Sequence, residues 1–169
     1  TISDSIHNEE GKTTSAFLLS FAYLEIGDFA RALDLESVIP LAEKYGLAAF
    51  LVGSRAELGW LHVLLGNLAE ADRMINLAIE VAEVRIQPLA VWGKILLTRL
   101  YLRQGDLERA TDLFMHLPSA DTLRKTLGII PPVWTGAIFL QIELALAQKN
   151  YEQVILLADD AFAILQKFN

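Results

Sequence analysis

The sequence predicts an all-α fold built from repeated antiparallel helix pairs. The first observation is a recurring turn phrase, whose copies begin 39, 39 and 44 residues apart at Gly27, Gly66, Gly105 and Lys149. The second is helical periodicity, because apolar residues on both sides of each phrase follow one another at steps of three and four. The third is that no segment alternates apolar and polar residues between hairpin turn signals. Equal spacing of one helix–turn–helix unit is typical of a solenoid.

Each copy of the phrase contains a turn residue, a helix cap, a large apolar residue and, three residues further on, a small one. Glycine can take the left-handed conformation that ends a helix, and the Asp or Asn after it can cap the next helix. The predicted N-caps are Asp28, Asn67, Asp106 and Asn150. The residues placed to complete capping boxes are Glu70 and Gln153. The small residues predicted to let two helices approach closely are Ala32, Ala71 and Ala110, with Val154 as the exception.

The elements follow from these turns in chain order. Helices are predicted at about 13–26, 29–45, 48–65, 68–86, 88–104, 107–117, 132–148 and 151–167. Pro40 lies inside the second of them and is expected to kink or split it. Pro88 is expected in the first turn of the fifth helix, where a backbone amide would have no hydrogen-bond acceptor within the helix, so its absence costs nothing. The stretch from Pro118 to Pro132 lengthens the last interval, and we predict a short helix near 121–127 followed by a loop that ends at Gly128.

The predicted domain organisation is a polar leader and one repeat domain. Residues 1–12 form the leader, and Thr13 or Thr14 is expected to cap the first helix. Residues 13–169 form the repeat domain, whose predicted units are 13–46, 47–87, 88–128 and 129–169. We expect the chain to be a piece of a longer protein, because it does not begin with Met and ends just after an apolar helical pattern.

Composition excludes several classes of function. The chain of 169 residues has no Cys, which excludes disulfides, thiolate metal sites and thiol nucleophiles. Its net charge of −7 argues against a nucleic-acid partner. The mean hydropathy of +0.37 is high, but the longest uncharged run, 126–142, is interrupted by two prolines and is too short to span a bilayer. We therefore predict no membrane association and a cytoplasmic location.

The sequence contains no complete catalytic or ligand-binding motif. Gly11-Lys12-Thr13 resembles the end of a phosphate-binding loop, but the pattern needs a Gly where Ile6 stands, and it needs a preceding strand. The histidines lack metal-ligand spacing; they are His7, His62 and His116. No segment brings together a nucleophile, a base and oxyanion donors. The sequence therefore predicts a non-enzymatic protein without a cofactor or metal.

The phrase Gly-Asp-Phe/Leu-x-x-Ala between amphipathic helices resembles the tetratricopeptide repeat, over residues 13–168. Leu58-Gly59 before the turn at Gly66, and Tyr101 four residues before Gly105, also fit that repeat. The usual period is about 34 residues, so these units have longer helices. Such long repeats resemble the sensor arrays of large bacterial signalling ATPases, including LuxR-type regulators and ATPase-linked nucleotide cyclases. The phrases that carry this likeness are 59–66 and 100–110.

The resemblance implies a right-handed solenoid of about four helix pairs, in which the first helix of each pair lines a concave groove. The residues expected in that groove are Phe17, Phe21, Glu25, Glu57, Trp60, Leu64, Trp92, Leu96, Arg99, Arg103, Phe139, Glu143 and Leu146. Large aromatic anchors dominate many interfaces, so Trp60 and Trp92 are either groove anchors or core residues. Of the family's carboxylate-gripping positions, only Arg99 is basic here. This departure favours a less polar ligand than a peptide terminus.

These expectations lead to two functions of different classes. The first is a non-catalytic protein-interaction or ligand-sensing scaffold, whose partner is a protein or peptide and in which Arg99 and Arg103 pair with an acidic residue of the ligand. The second is a self-association domain, in which a homodimer covers the excess apolar surface. RNA binding by a helical-repeat array is disfavoured by the net charge of −7.

Overall fold

The computed structural model describes residues 8–128 and 130–166, and these residues contain helices, turns and no strand. This confirms the all-α fold class. A 3-10 turn, Gln87–Leu89, precedes the sixth helix. In chain order the helices are α1 (Glu9–Glu25), α2 (Phe29–Ala32), α3 (Leu35–Lys44), α4 (Ala48–Leu64), α5 (Leu68–Arg85), α6 (Ala90–Gln104), α7 (Leu107–Met115), α8 (Ala120–Thr126), α9 (Pro131–Ala147) and α10 (Tyr151–Leu165).

The chain divides into two compact units, Thr1–Leu96 and Leu97–Asn169, and the division falls inside α6. In the first unit α1 packs against α2, α3 and α4, and α4 also packs against α2, α3 and α5. In the second unit α9 packs against α7, α8 and α10. Consecutive helices joined by tight turns therefore pack as predicted in three of the pairs: α1 with α2 and α3, α4 with α5, and α9 with α10.

The predicted turns share one hydrogen-bond pattern. At the first of them, Gly27 adopts a φ of +80°, and the amide of Asp28 donates to the carbonyl of Tyr23 over 2.9 Å. This bond reaches five residues back and closes a Schellman motif, which satisfies a carbonyl that the helix end leaves free. The equivalent bonds, of 2.8, 2.9 and 2.9 Å, are donated by Asn67, Asp106 and Asn150. The turns predicted from the glycine phrases are therefore confirmed.

The fourth turn forms without glycine. Lys149 has a φ of +59°, in the left-handed region, while its counterparts Gly66 and Gly105 have φ values of +81° and +77°. A side chain with a Cβ is strained there, by about 1–2 kcal/mol, which exceeds the entropy that glycine loses on folding, about 0.5–1 kcal/mol.

Replacement of Lys149 by Gly is therefore expected to stabilise the fold. The expected gain in the free energy of unfolding is about 0.5–1 kcal/mol, measured by urea denaturation. The matched control is Gln148→Gly, one residue earlier, where φ is −77° and glycine brings no relief. The control should lower the free energy of unfolding. A loss of stability in Lys149→Gly as well would show that the left-handed turn is not strained.

Three of the four predicted N-caps are confirmed by side-chain hydrogen bonds. Asp28, Asp106 and Asn150 accept from the amide three residues ahead, over 3.2, 3.0 and 3.2 Å. Asn67 occupies the cap position without such a bond. The carboxylate of Glu70, expected to close a capping box there, instead pairs with Arg73, whose Nη2 lies 2.5 Å from Glu70 Oε1. An i,i+3 ion pair on the helix surface has replaced the capping interaction.

The first and third turns carry the same three-residue cluster. Asp28 accepts from the guanidinium of Arg31, which lies over the ring of Tyr23, 4.3 Å from its centroid. The hydrogen bond from Arg31 holds the pKa of Asp28 below its usual value of 3.8. The corresponding residues of the third turn are Asp106, Arg109 and Tyr101. In both turns the arginine therefore contacts the cap residue and a tyrosine near the end of the preceding helix.

The first helix begins earlier than predicted. It starts at Glu9 rather than near residue 13, and Asn8 caps it by accepting from the amide of Gly11 over 2.8 Å. The acidic side chains of Glu9 and Glu10 suit the positive end of the helix dipole. Residues 11–13 are thus helical and form no phosphate-binding loop. Residues 1–7 of the predicted leader and residues 167–169 of the last unit lie outside the described residues.

The prolines lie at other places in the helices than predicted. The second predicted helix is split into α2 and α3 at Leu33–Asp34, six residues before Pro40, and Pro40 itself lies inside α3. Pro88 lies in the 3-10 turn that precedes α6 rather than in the first turn of α6 itself. The extra segment contains the expected short helix, α8, which Ser119 caps by accepting from the amide of Thr122 over 3.2 Å.

Small residues bring the helices into close contact. Ala32, Ala71 and Ala110 are fully buried, as predicted. Where α4 meets α5, a Cβ placed on Gly59 would lie 2.6 Å from the side chain of Ile75 and 3.2 Å from the carbonyl oxygen of Ala71. The two helices therefore approach so closely that neither contact point has room for a larger side chain.

Candidate functional site

The first helices of the repeats, α1, α4, α6 and α9, keep the same two positions accessible. The position six residues before the turn residue is half-buried in each of them; it holds Phe21, Trp60, Arg99 and Glu143. The position two residues before the turn is exposed; in the first three helices it holds Glu25, Leu64 and Arg103. These residues belong to the expected groove set, so each of the four repeats presents part of that set to solvent.

Four other residues of the expected set are buried. They are Phe17, Glu57, Trp92 and Leu96. A ligand on the surface cannot reach these side chains in the folded chain. Of the two predicted anchors, only Trp60 has accessible surface, while Trp92 is part of the core.

In the first unit, aromatic rings are packed around a glycine. The ring of Phe17 lies 6.3 Å from that of Phe21 and 5.7 Å from that of Phe50, between centroids. A Cβ on Gly53 would come within 2.9 Å of Phe17 and 3.3 Å of Trp92. The missing side chain of Gly53 therefore makes room for both rings. We call four accessible apolar residues of α1 and α4 the aromatic patch, defined as Phe21, Phe50, Trp60 and Leu64.

Phe50 and Gly53 were not in the expected set. Gly53 lies inside a predicted helix, thirteen residues before the turn at Gly66. Glycine in a helix interior costs about 1 kcal/mol relative to alanine, so its presence there is a sequence signal that another side chain packs close to the helix backbone. Trp92 stands at the equivalent position before Gly105. Glycine and tryptophan at equivalent positions of neighbouring repeats fit one another in size.

A buried hydrogen bond fixes the tryptophan. Trp92 Nε1 donates to Glu57 Oε1 over 2.8 Å, and both side chains are buried. A buried indole N–H needs an acceptor, and a buried carboxylate needs donors. This bond joins α4 to the N-terminal part of α6 within the first unit.

In the second unit an ion pair occupies the half-buried position six residues before the turn residue. Arg99 donates two hydrogen bonds to Glu143, from Nε to Oε2 over 2.9 Å and from Nη2 to Oε1 over 2.6 Å. Bidentate pairs of this geometry are among the stronger side-chain interactions. Arg99 was expected to meet an acidic residue of a ligand, but it already has a carboxylate partner inside the chain. Such a ligand would have to displace Glu143.

Two apolar residues of the expected set are exposed in the second unit. Phe139 and Leu146 lie on α9. Phe139 borders a small cleft whose other lining residues are Thr135, Ile138 and Ala161. Within the described part of the chain, no three His, Asp or Glu side chains are grouped to hold a metal ion. The same residues contain no helix that is long and apolar enough to cross a membrane.

Tandem helix pairs with Gly-Asp turns and an accessible stripe on each first helix define a helical-repeat protein. The tetratricopeptide-repeat family model matches residues 52–76 and 91–114, which lie on the α4–α5 and α6–α7 pairs. The matches support a tetratricopeptide-like family, and such repeats generally mediate protein–protein interaction. A comparison with curated proteins finds no match.

Proposed function

We propose that the chain is a non-catalytic protein-interaction module that binds an apolar segment of a partner protein through the aromatic patch. The observation that carries this proposal is that Trp60 and Phe21 occupy the same half-buried position on the packed helices α1 and α4. The exposed Leu64 extends the apolar surface by one helical turn beyond Trp60. With Phe50, the four apolar side chains of the aromatic patch offer a contact area on two packed helices.

Buried residues of the first unit pack against the aromatic patch at Phe21, which favours tight binding. Phe17 stacks against Phe21, and the buried Trp92 with its hydrogen bond to Glu57 fills the core of the same unit. Side chains held in place before binding lose little conformational entropy when a partner arrives. Aromatic residues in such supported positions are the usual hot spots of interfaces.

The partner segment is expected to be apolar rather than acidic. Arg99 is paired with Glu143, which leaves the exposed Arg103 as the remaining cation of the expected set. Glu25, also exposed, adds a negative charge beside the aromatic patch. Ligand sensing in a larger signalling ATPase, and a cytoplasmic location, are the more specific proposals that accompany this function.

A peptide selection tests the aromatic patch and needs no identified partner. Short peptides are selected from a displayed random library on the wild-type chain, and the tightest is synthesised and labelled. Its dissociation constant is then measured by fluorescence anisotropy for wild type and for Trp60→Ala. We expect Trp60→Ala to weaken binding by about tenfold or more, as truncation of an aromatic hot spot does.

The matched control is Val84→Ala, which truncates an exposed apolar side chain on α5, outside the aromatic patch. It should leave the dissociation constant unchanged. Far-UV circular dichroism should show the same helix content for both variants and wild type. Equal affinity of the selected peptides for wild type and Trp60→Ala would contradict the proposed site.

A further inference from the structure

The second unit contains an open cleft between α7 and the C-terminal end of α9. Its volume is about 580 Å³, and the described residues that line it are Leu107, Glu108, Thr111, Asp112, Met115 and Gln148. The lining is mostly apolar, and Met115 is 73% exposed. Other helices precede and follow α7, so the cleft lies inside the array. We call these six residues the α7 cleft.

One side of α7 is packed and the other is open. Ala110 is the fully buried residue of this helix, whereas Leu107, Leu113 and Phe114 are half-buried. The short helix α8 also packs against α9, and its Leu123 is buried. The two helices therefore share the surface of α9, and the side of α7 that points away from Ala110 stays accessible.

The open side of α7 changes from apolar to acidic around the helix. At about 100° per residue, Leu107 lies about 60° and Thr111 about 100° from the buried Ala110. Met115 lies further round, and the two carboxylates of the α7 cleft lie furthest, about 160° from Ala110. A ligand in the cleft therefore meets apolar side chains on one side and carboxylates on the other.

The carboxylates of the α7 cleft belong to Glu108 and Asp112. The neighbouring Arg109 pairs with Asp106, and neither carboxylate forms an ion pair with a residue that the structure describes. Like charges four residues apart on a helix repel each other, which weakens the helix slightly. A cation between the two carboxylates would remove this repulsion.

The wall of the cleft on α9 is also electronegative. Gln148 is the C-cap of α9, whose last turn contains no basic residue. The carbonyl groups at a helix C-terminus carry a partial negative charge, which favours a cation nearby. Lys149 follows Gln148 but does not line the cleft. Both walls therefore favour a positively charged ligand.

We propose that the α7 cleft binds a basic segment of a partner protein in which Lys or Arg residues alternate with apolar ones. Alternate side chains of an extended segment point to opposite sides, so one side contacts Leu107 and Met115 while the other contacts Glu108 and Asp112. Basic residues on one side of such a segment are about 7 Å apart, and the two carboxylates are about 6 Å apart along the helix axis. The net charge of −7 disfavours a second copy of this chain as the occupant.

Methyl NMR of the methionines tests this site directly. The chain contains two of them, Met115 in the α7 cleft and Met74, which is buried in the first unit. A short peptide of alternating Lys and Leu is titrated into the chain labelled with ¹³C at the methionine methyl groups. The Met115 signal should shift and that of Met74 should stay in place. A peptide of the same composition with Lys and Leu in separate blocks should bind about fivefold more weakly or worse, because it cannot satisfy both sides of the cleft.

Two double variants separate the cleft from the net charge of the chain. Glu108→Gln combined with Asp112→Asn removes both carboxylates of the cleft and retains its shape. It should weaken binding of the alternating peptide by about threefold to tenfold, as loss of exposed ion pairs does. The matched control is Asp159→Asn combined with Asp160→Asn, which removes two exposed carboxylates from α10. The control should bind like wild type, and circular dichroism should show the same helix content for all three chains.

Three outcomes would overturn the proposed site. These are a Met115 signal that the alternating peptide does not move, equal loss of affinity in the two double variants, and a Met115 signal that shifts when the chain is concentrated without peptide. The last outcome would place a second copy of the chain in the cleft. Trp60→Ala should bind the alternating peptide like wild type, so failure of the α7 cleft and failure of the aromatic patch are distinguishable.

Discussion

Replacement of Ala71 by Trp is expected to destabilise the fold by about 1–3 kcal/mol or more, because overpacking forces two close helices apart. Ala71 is fully buried on α5, and its carbonyl oxygen lies 3.2 Å from where a Cβ of Gly59 would stand on α4. An indole at this point cannot fit without separating the helices. The measurement is the midpoint and slope of urea denaturation, followed by far-UV circular dichroism.

The same substitution at Ala69 is the matched control. Ala69 lies on the same helix, two residues earlier, and is exposed. Ala69→Trp changes helix propensity and hydrophobicity in the same way, but it should shift the urea midpoint little. Equal midpoints for the two variants would show that α4 and α5 are not in close contact at Ala71.

Truncation of Trp92 to Ala is expected to cost about 3–5 kcal/mol of folding free energy, since a large aromatic side chain leaves a cavity. The ring is buried beside Gly53 in the first unit, and its N–H donates to Glu57. The loss therefore combines packing with a buried hydrogen bond. A total stability of about 5–15 kcal/mol is typical of domains, so the variant is expected to melt well below wild type.

Two companion variants separate the causes. Trp92→Phe retains much of the ring but removes the donor to Glu57, and it should cost about 1–3 kcal/mol. Trp60→Ala truncates a half-buried ring and should cost less than Trp92→Ala. A Trp92→Ala variant that unfolds at the wild-type urea concentration would show that this ring does not stabilise the core.

The turns and caps were predictable from sequence because their causes are local. A glycine followed by Asp or Asn fixes both the left-handed residue and the side-chain acceptor within a few positions. Asn67 is the exception: its side chain makes no cap hydrogen bond, and Glu70 pairs with Arg73, which the cap residues alone do not reveal. The start of α1 lies earlier than predicted because a polar segment can be either a leader or the first turn of a helix. Acidic groups favour the positive end of a helix, so that first turn is often polar.

The candidate site was less predictable, because burial depends on the neighbouring repeat. Trp60 and Trp92 look alike in sequence, yet one is half-buried and the other belongs to the core. Trp92 is buried because Gly53, at the equivalent position of the preceding repeat, leaves space for its ring. The Arg99–Glu143 pair likewise joins equivalent positions of two helices. Comparing equivalent positions across repeats would have revealed both relations.

The pairing of Arg99 with Glu143 has a consequence for how a partner approaches the chain. Two opposite charges held together form a dipole, whose field decays faster with distance than that of a single charge. At long range an incoming protein therefore senses mainly the net charge of −7. That field repels anionic partners and attracts cationic ones until salt screens it beyond about 10 Å at 0.1 M. Association rates should thus depend on ionic strength, while the apolar contacts formed after encounter govern dissociation.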